Sequence, residues 1–241
     1  MGDLLTSYNG TSITYDNIGN PTQIGTSGEV GSISLAWQGR QLQSYTRYVM
    51  DMVDVYTETT TYTYNDEGIR TSKNVNGVLH EYIISGNQIV AEKNGNRYLV
   101  YLYDEIGAPI GMMYRENGYS QGVFETYIFD KNLQGDVVAI YNSDGEKIGS
   151  YEYDMWGKVF AHTESGTTTL ERNIVNNYNP FRYRGYYYDV DTELYYLQSR
   201  YYNDNNCSNN CPKKLPRYIH SIYRIVSTIR KHIASQQTLT C

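Results

Sequence analysis

Cysteine, proline and two of the three aromatic residue types are scarce in this sequence. Its 241 residues include only 3 Cys, 5 Pro, 4 Phe and 2 Trp. No run of about 18 apolar residues occurs, which excludes an ordinary transmembrane helix. The N-terminus has no basic segment followed by an apolar one, so we expect no signal peptide in this chain. With so little Phe and Trp, the interior must be filled by another residue type.

The common catalytic motifs are also absent. The sequence has no Gly-x-Ser-x-Gly, no His-Glu-x-x-His, no phosphate-binding loop and no Gly-x-Gly-x-x-Gly. Before residue 204 the only histidines are His80 and His162. The acidic cluster of Asp189, Asp191 and Glu193 is interpreted as turn capping rather than as an acid–base pair. We therefore predict that the chain is not an enzyme.

The cysteines do not form a convincing metal motif. Cys207 and Cys211, with His220 and His232 downstream, could be drawn as a zinc site. The two histidines are not the close pair of a zinc finger, and a disulfide or free thiols is the better interpretation. We predict no metal and no cofactor.

Charge and residue usage divide the chain near Asn203. Residues 1–203 contain 14 basic and 25 acidic side chains, a net charge of −11, whereas residues 204–241 contain six Lys and Arg and one Asp, a net charge of +5. All 21 glycines lie at or before Gly185, and all three cysteines at or after Cys207. We predict two units, a domain over 1–203 and a basic tail over 204–241.

Tyrosine is the abundant aromatic residue, with 28 copies. Tyrosine favours strands and can bury its ring while its hydroxyl reaches a hydrogen-bond partner. From Thr57 onward, alternating segments are separated by turn dipeptides at roughly 8–12 residue intervals, of which Asn76-Gly77 and Asp144-Gly145 have the strongest two-residue hairpin signal. We predict an all-β fold, a curved sheet of consecutive β-hairpins.

A Tyr-Asp unit that ends in Gly recurs along the chain, from Asp16 onward. In each copy the aspartate is expected to open a turn by accepting backbone hydrogen bonds, and the glycine to close it at positive φ. Repeated units of this kind stack on their neighbours. The predicted turn residues are Asp16 and Gly19, Asp66 and Gly68, Asp104 and Gly107, and Asp154 and Gly157.

The most distinctive stretch runs over residues 179–203, with the sequence NPFRYRGYYYDVDTELYYLQSRYYN. Its tyrosines come in pairs and triplets with arginines between them, and Asp189 to Thr192 break the run. This pattern predicts two strands joined by a tight turn, in which arginines stack on phenol rings. We interpret the stretch as an aromatic plug rather than a catalytic loop.

This stretch resembles the signature of the RHS repeat-associated core, the closing segment of RHS and YD-repeat proteins. The block NLQGDV, which starts at Asn132, resembles an element that precedes that signature in the same family. The resemblance implies a hollow β-shell that encloses or presents a C-terminal toxin-like cargo. We accordingly predict a non-catalytic shell segment, and as the alternative a cell-surface carbohydrate- or cell-wall-binding module.

The resemblance assigns the plug to the core signature. Its predicted residues are Asn179, Pro180, Phe181, Arg182, Tyr183, Arg184, Gly185, Tyr186, Tyr188, Asp189, Tyr195, Tyr196, Leu197, Ser199, Arg200, Tyr201 and Tyr202.

Two departures from the family pattern stand out. Glu193 replaces a glycine, which strains the turn by about 1–2 kcal/mol if that position needs positive φ. After Tyr202 the family's Pro-x-x-Gly-Arg-Phe run and Asp-Pro-x-Gly region are missing, so its self-cleavage is not expected here.

The tail contains a helical pattern over about 216–234. Its apolar positions and a stripe of Arg217, Arg224 and Lys231 predict one basic amphipathic helix, which either packs on the β-domain or contacts a membrane or partner. The expected partners are the remainder of a larger shell, the cargo and an immunity protein. No nucleic acid is expected on the acidic β-domain. We expect a secreted or cell-surface location as part of a larger protein.

Overall fold

The structure, a computed structural model, describes residues 4–117, 122–198 and 200–203. Within these ranges the regular structure is almost entirely β-strand. One short helix, α1 (Thr169–Asn173), leads into a π-helical turn at Ile174–Tyr178, and a 3₁₀ turn lies at Tyr183–Gly185. The strands are β1 (Ser7–Tyr8), β2 (Thr11–Tyr15), β3 (Pro21–Ile24), β4 (Ile33–Gln38), β5 (Gln41–Met50), β6 (Val55–Tyr64), β7 (Arg70–Val75), β8 (Val78–Ser85), β9 (Gln88–Asn94), β10 (Arg97–Tyr103), β11 (Pro109–Glu116), β12 (Glu125–Lys131), β13 (Val137–Tyr141), β14 (Lys147–Tyr153), β15 (Val159–Thr163), β16 (Tyr187–Asp189), β17 (Leu194–Tyr196) and β18 (Tyr201–Asn203).

The first fifteen strands form one antiparallel sheet in which each strand pairs with the next along the chain. The last three strands form a separate antiparallel sheet. The predicted all-β class and the consecutive hairpins are therefore confirmed. No helix among the described residues has the length and apolar character needed to cross a membrane.

Because consecutive antiparallel strands reverse direction, their turns alternate between two edges of the large sheet. We call the edge that carries the turns at 16–19, 65–68, 104–107, 132–135 and 154–157 the repeat rim. The opposite edge, with the turns at 51–54, 76–77 and 95–96, is the far rim. Most of the repeat turns thus lie on one edge of the large sheet, which we call the wall, and only the turn at 142–145, between β13 and β14, lies on the other among the described residues.

The turn at Asp16 shows why this repeat folds as it does. Its carboxylate Oδ1 accepts hydrogen bonds from the backbone N–H groups of Ile18 and Asn20, at 3.0 and 2.8 Å. Gly19 donates to the Asp16 carbonyl and has a φ of 85°, a conformation that favours glycine. The turns at Asp104 and Asp154 have the same arrangement, with Gly107 and Gly157 at φ of 81° and 89°.

The prediction for Asp66 was wrong, because Asn65 opens that turn. The side-chain oxygen of Asn65 accepts from the N–H of Ile69 at 2.8 Å, and Gly68 donates to the Asn65 carbonyl. Asparagine offers the same acceptor geometry as aspartate, so the unit is Tyr-Asp/Asn-x-x-Gly.

The same turn also begins at Asn132 and Asn142. Asp144-Gly145 is therefore the end of a longer turn rather than the predicted two-residue hairpin. In contrast, Asn76 and Gly77 both have positive φ, 49° and 92°, as a two-residue hairpin requires.

In three of the repeat units, the tyrosine that precedes the turn ties its strand to the strand before it. Its hydroxyl donates to a backbone carbonyl there, so the phenol satisfies its polar end while the ring packs inward. These bonds join Tyr64 to Leu42, Tyr103 to Ile89 and Tyr153 to Val137, at 2.7 or 2.8 Å.

Residues 179–203, which we call the closing segment, pack on the inner face of the large sheet. The Tyr201 ring lies 6.4 Å from Trp37 of β4, and the Tyr183 ring lies 5.8 Å from Tyr153 of β14. Within the segment, the Tyr201 ring lies 5.5 Å from Tyr196 and the Tyr183 ring lies 6.3 Å from Tyr195, so the contacts to β4 and β14 are close together in space. The sheet must curve to bring two strands so far apart in its order to these neighbouring rings.

Helix α1 was not predicted from the sequence. Its signal is a capping box: the Thr168 hydroxyl accepts from the Glu171 N–H at 3.2 Å, and the Glu171 carboxylate accepts from the Thr168 N–H at 2.8 Å. The helix predicted over 216–234 lies outside the described residues, as do the cysteines of the tail.

Candidate functional site

The candidate site is the buried interface between the closing segment and the inner face of β6 to β10. At its centre is Arg70, the first residue of β7, whose side chain is 0% exposed. Its guanidinium donates to both carboxylate oxygens of Asp189 on β16, at 2.5 and 3.1 Å. Asp189 is likewise 0% exposed. This charge pair joins two residues that are 119 positions apart in the sequence.

Four tyrosine rings surround the Arg70 guanidinium. Its central carbon lies 4.2 Å from the Tyr196 ring centroid and 5.1 or 5.2 Å from those of Tyr62, Tyr82 and Tyr187. A desolvated guanidinium over aromatic faces gains up to about 2 kcal/mol per good contact. Two of these rings come from the wall and two from the closing segment, so the cage forms only when both are in place.

A second cation extends the network along β7. Lys73 Nζ lies 3.2 Å from Asp189 Oδ1 and 2.6 Å from Asp191 Oδ2. Asp189 therefore binds two cations rather than capping a backbone turn, and the turn-capping interpretation of this residue was wrong. Removing one partner of such a buried pair typically costs about 3–5 kcal/mol.

A third group of polar side chains surrounds Glu92 of β9. Its Oε2 accepts from the hydroxyls of Tyr101 and Tyr187, at 2.8 and 2.5 Å. Its Oε1 lies 2.6 Å from Nδ1 of His80, which must be the donor because an ionised carboxylate only accepts. Asn94 Nδ2 lies 3.0 Å from His80 Nε2. Through Tyr187, this group joins the wall to the closing segment.

The charges of the network hold one another in the ionised state. Burial works against the charged forms of Arg70 and Lys73, but the negative charge of Asp189 raises the pKa of both groups well above their usual values. Burial also opposes ionisation of Glu92, yet the His80 hydrogen bond and the Lys73 charge lower its pKa to about 2. Burial and the Glu92 charge raise the pKa of Tyr187, which keeps that hydroxyl a donor.

A cavity of about 370 Å³ lies beside this network, between the wall and the closing segment. Lys73, His80 and Glu92 line it on one side, and Tyr178 and Asp191 on the other. The Tyr178 ring is stacked on Tyr114, with centroids 5.5 Å apart, and the Arg97 guanidinium lies 4.6 Å from it. Among the residues that the structure describes, no group of three or more His, Cys, Asp or Glu could hold a metal ion.

The start of the predicted plug is buried. The side chain of Asn179 is 0% exposed and makes two hydrogen bonds to the backbone of Phe181, and the Pro180 carbonyl accepts from Tyr188. The Arg182 guanidinium lies 4.5 Å from the Tyr188 ring centroid and donates to a backbone carbonyl.

Arg184 and Gly185 form the turn that follows, and both have positive φ, 57° and 66°. The Arg184 N–H donates to Asp136 Oδ1 at 2.8 Å, next to the repeat rim, and its guanidinium lies over the Tyr183 ring. Tyr186 is half-buried.

The rest of the predicted plug attaches mainly to the turns of the repeat rim. The Tyr195 hydroxyl donates to the Gly157 carbonyl at 3.0 Å, and the Tyr202 hydroxyl donates to Trp156. The Tyr201 and Tyr64 hydroxyls are 2.8 Å apart. The Leu197 N–H donates to the Arg200 carbonyl at 2.8 Å, and Ser199 lies outside the described residues.

Sequence reasoning missed the residues at the centre of the site. Arg70, Lys73, His80 and Glu92 lie on ordinary strands without a motif. Their position gave no local signal, because in a regular strand residues 70 and 73 point to opposite faces. The register shift between β6 and β7, opposite Thr63 and Tyr64, is what places both Arg70 and Lys73 on the buried side.

No protein-family model matches this chain. Its sequence is 32% identical over 207 residues to the tRNA3(Ser)-specific nuclease WapA of Bacillus spizizenii, and 31% identical over 207 residues to the tRNA nuclease WapA of Bacillus subtilis. Each match covers 84% of this chain and 8% of the relative. The chain thus spans 8% of the length of these curated relatives.

Solved structures show the same fold. TcdB2-TccC3 without its hypervariable C-terminal region matches with a TM-score of 0.54 and 18% identity, and TcdB2-TccC3-Cdc42 with 0.53 and 18%. Each match covers 80% of this chain and 12% of the matched chain. A Tc holotoxin pore of Photorhabdus luminescens matches with a TM-score of 0.50 and 17% identity over 80% of this chain and 11% of that chain. This fold is thus found inside much longer toxin-complex chains.

The predictions of a non-catalytic function and of no enzyme activity are contradicted by the sequence relatives, which are named as tRNA nucleases. The absence of catalytic motifs from this chain was a poor guide to the activity of the relatives, because the chain covers only 8% of the length of each. The carbohydrate-binding alternative gains nothing from these matches. Sequence and fold matches together support an RHS-type protein.

Proposed function

We propose that this chain is a segment of a nuclease toxin that cleaves tRNA. The observation that carries the proposal is the identity of 31–32% with tRNA nucleases over 84% of the chain. Because that stretch is 8% of each relative, the proposal concerns the protein to which the segment belongs. A secreted or cell-surface location is part of the same proposal.

Within such a toxin, the proposed role of residues 1–203 is to form part of the wall of an RHS-type shell. Support comes from the curved fifteen-stranded sheet and from its likeness to TccC3-containing structures. The closing segment is proposed to seal the repeat-rim end, since Tyr195, Tyr202 and Gln198 all bond backbone carbonyls of turns on that rim. The division at Asn203 is proposed as the border between shell and tail.

The proposed partners are the remainder of the shell, the nuclease cargo and an immunity protein. Support for the first comes from the sheet order: β15 is an outermost strand of the sheet, and it pairs on one side only among the described residues. An unpaired strand edge is a template for another strand.

The test is tRNA integrity in bacteria that express the chain, by itself and within its native reading frame. Total tRNA is sequenced from its 3′ ends, with a variant carrying an early stop codon as the control. We expect cleavage of one or a few tRNA species in at least the native-frame strain, absent from the control. Intact tRNA in both strains, with the proteins present and soluble, would overturn the proposal.

A further inference from the structure

We propose that the tip of the β5–β6 hairpin is the docking site for residues 216–234 of this same chain. The tip projects from the far rim. Both of its strands are ten residues long, whereas the neighbouring β4 and β7 have six each. Strand pairing with β4 ends at Arg47 and with β7 at Thr60, so the outer part of the hairpin extends beyond its neighbours.

The tip presents apolar side chains to solvent. Met52 is fully exposed, and Val53 is 85% exposed. Met50, Val55 and Tyr56 are each about half exposed. Apolar residues scattered singly on a surface need no explanation. Met50 and Val55, however, are direct cross-strand partners beside Met52 and Val53 of the turn, and such a group on one projecting hairpin is typical of an interaction surface.

Charge favours the basic tail as the occupant. The tip also carries Asp51 and Asp54, both exposed, and the only cation nearby on β5, Arg47, is already paired with Glu58 at 2.8 Å. Residues 204–241 have a net charge of +5 against −11 for the rest of the chain. Over 216–234 the sequence has apolar residues at helical spacing with basic residues between them. Such a segment is complementary to an apolar surface that is rimmed by carboxylates.

The chain leaves the described structure close to this hairpin. Asn203 pairs with Leu194 in the small sheet, and the adjacent Glu193 carboxylate lies 4.0 Å from the Arg47 guanidinium. Arg47 is three residues from Met50. The residues 204–215 can span up to about 40 Å when extended, so residues 216–234 can reach the tip without strain.

The test is chemical cross-linking in the full chain. The three native cysteines are changed to serine, and Ser227→Cys places one thiol within the 216–234 segment. Met52→Cys then places a second thiol at the tip. In the matched control, Leu133→Cys places it instead on the repeat rim, at an equally exposed turn residue. A short bis-maleimide reagent is added, and the products are mapped by mass spectrometry.

Docking raises the local concentration of the segment at the tip, so we expect the intramolecular yield to be roughly tenfold higher from Met52→Cys than from Leu133→Cys. Adding Val53→Lys to the tip variant removes apolar surface and repels the basic segment, so it should reduce the yield to the control level. Thermal unfolding should stay unchanged, because Val53 is exposed. Equal yields from the two positions would overturn the proposal. Cross-links formed only between two chains would also overturn it, since the occupant would then be a second copy.

Discussion

Glu193 occupies a position at which glycine is the favoured residue. Its φ is 57°, so the backbone strain expected for a residue other than glycine at positive φ is present. We expect Glu193→Gly to raise the free energy of unfolding by about 1 kcal/mol. Glu193→Ala is the matched control, since it removes the same side chain but keeps the Cβ. Urea denaturation measures both, and an equal gain from alanine would contradict the strain explanation.

Glu92 makes stability depend on pH. Its pKa is about 2 in the folded protein against an ordinary value of 4.5. As the pH falls, Glu92 is therefore protonated in the unfolded chain before it is protonated in the folded protein. The stability that ionised Glu92 provides is therefore complete above pH 4.5 and is lost as the pH falls towards 2. The loss amounts to about 3 kcal/mol at most.

We expect Glu92→Gln to flatten the dependence of the unfolding free energy on pH between 5 and 2, as measured by urea denaturation at several pH values. Glu105→Gln is the control, because Glu105 is exposed in a repeat turn. An unchanged slope in Glu92→Gln would show that this carboxylate is not held ionised by the network.

At the scale of the element, the repeat turns are also attachment points for the closing segment. Gly157 and Gly166 both have positive φ, 89° and 87°. A Cβ at Gly157 would lie 2.6 Å from the Tyr183 ring, whereas one at Gly166 would meet nothing within 4 Å. Comparing the two glycines therefore separates backbone strain from contact with the closing segment.

We expect Gly166→Ala to cost about 1–2 kcal/mol of unfolding free energy, from positive φ alone. Gly157→Ala should cost at least about 1 kcal/mol more, because the aromatic ring must also move. Thermal unfolding of the two variants gives the difference. Equal losses would mean that the turn and Tyr183 are not in contact in solution.

An element could be predicted from the sequence when the residues that determine it lie close together along the chain. The hairpins could be predicted, because Asn or Asp and Gly at fixed spacing determine each repeat turn within five residues. Asp66 was misassigned because Asn65 provides the same acceptor one position earlier. The short helix α1 was missed although its capping box, Thr168 and Glu171, is equally local.

The centre of the candidate site could not be predicted in this way. Arg70 and Asp189 are far apart in the sequence, and no residue next to either of them indicates its partner. A single sequence does not show which inward-facing charge on one strand meets which charge on another. The tyrosine-rich stretch did show where the closing segment lies, because there the aromatic residues are contiguous.

In the molecule as a whole, buried charges fasten the closing segment to the inner face of the wall. Arg70, Lys73 and Glu92 belong to the wall, and Asp189, Asp191 and Tyr187 to the closing segment. A long meander has few contacts between distant strands, so this network supplies the long-range contacts that hold the sheet in its curved form.

The most direct test is a double-mutant cycle on Arg70 and Asp189, measured as unfolding free energies. Arg70→Met or Asp189→Leu alone should each cost about 3–5 kcal/mol, because each leaves an uncompensated buried charge. The double variant should cost clearly less than their sum, with a coupling of at least about 2 kcal/mol. The exposed pair Lys147 and Glu164, 2.9 Å apart, is the control and should couple by less than about 1 kcal/mol. A coupling near zero between Arg70 and Asp189 would contradict the claim that the closing segment is docked on the wall.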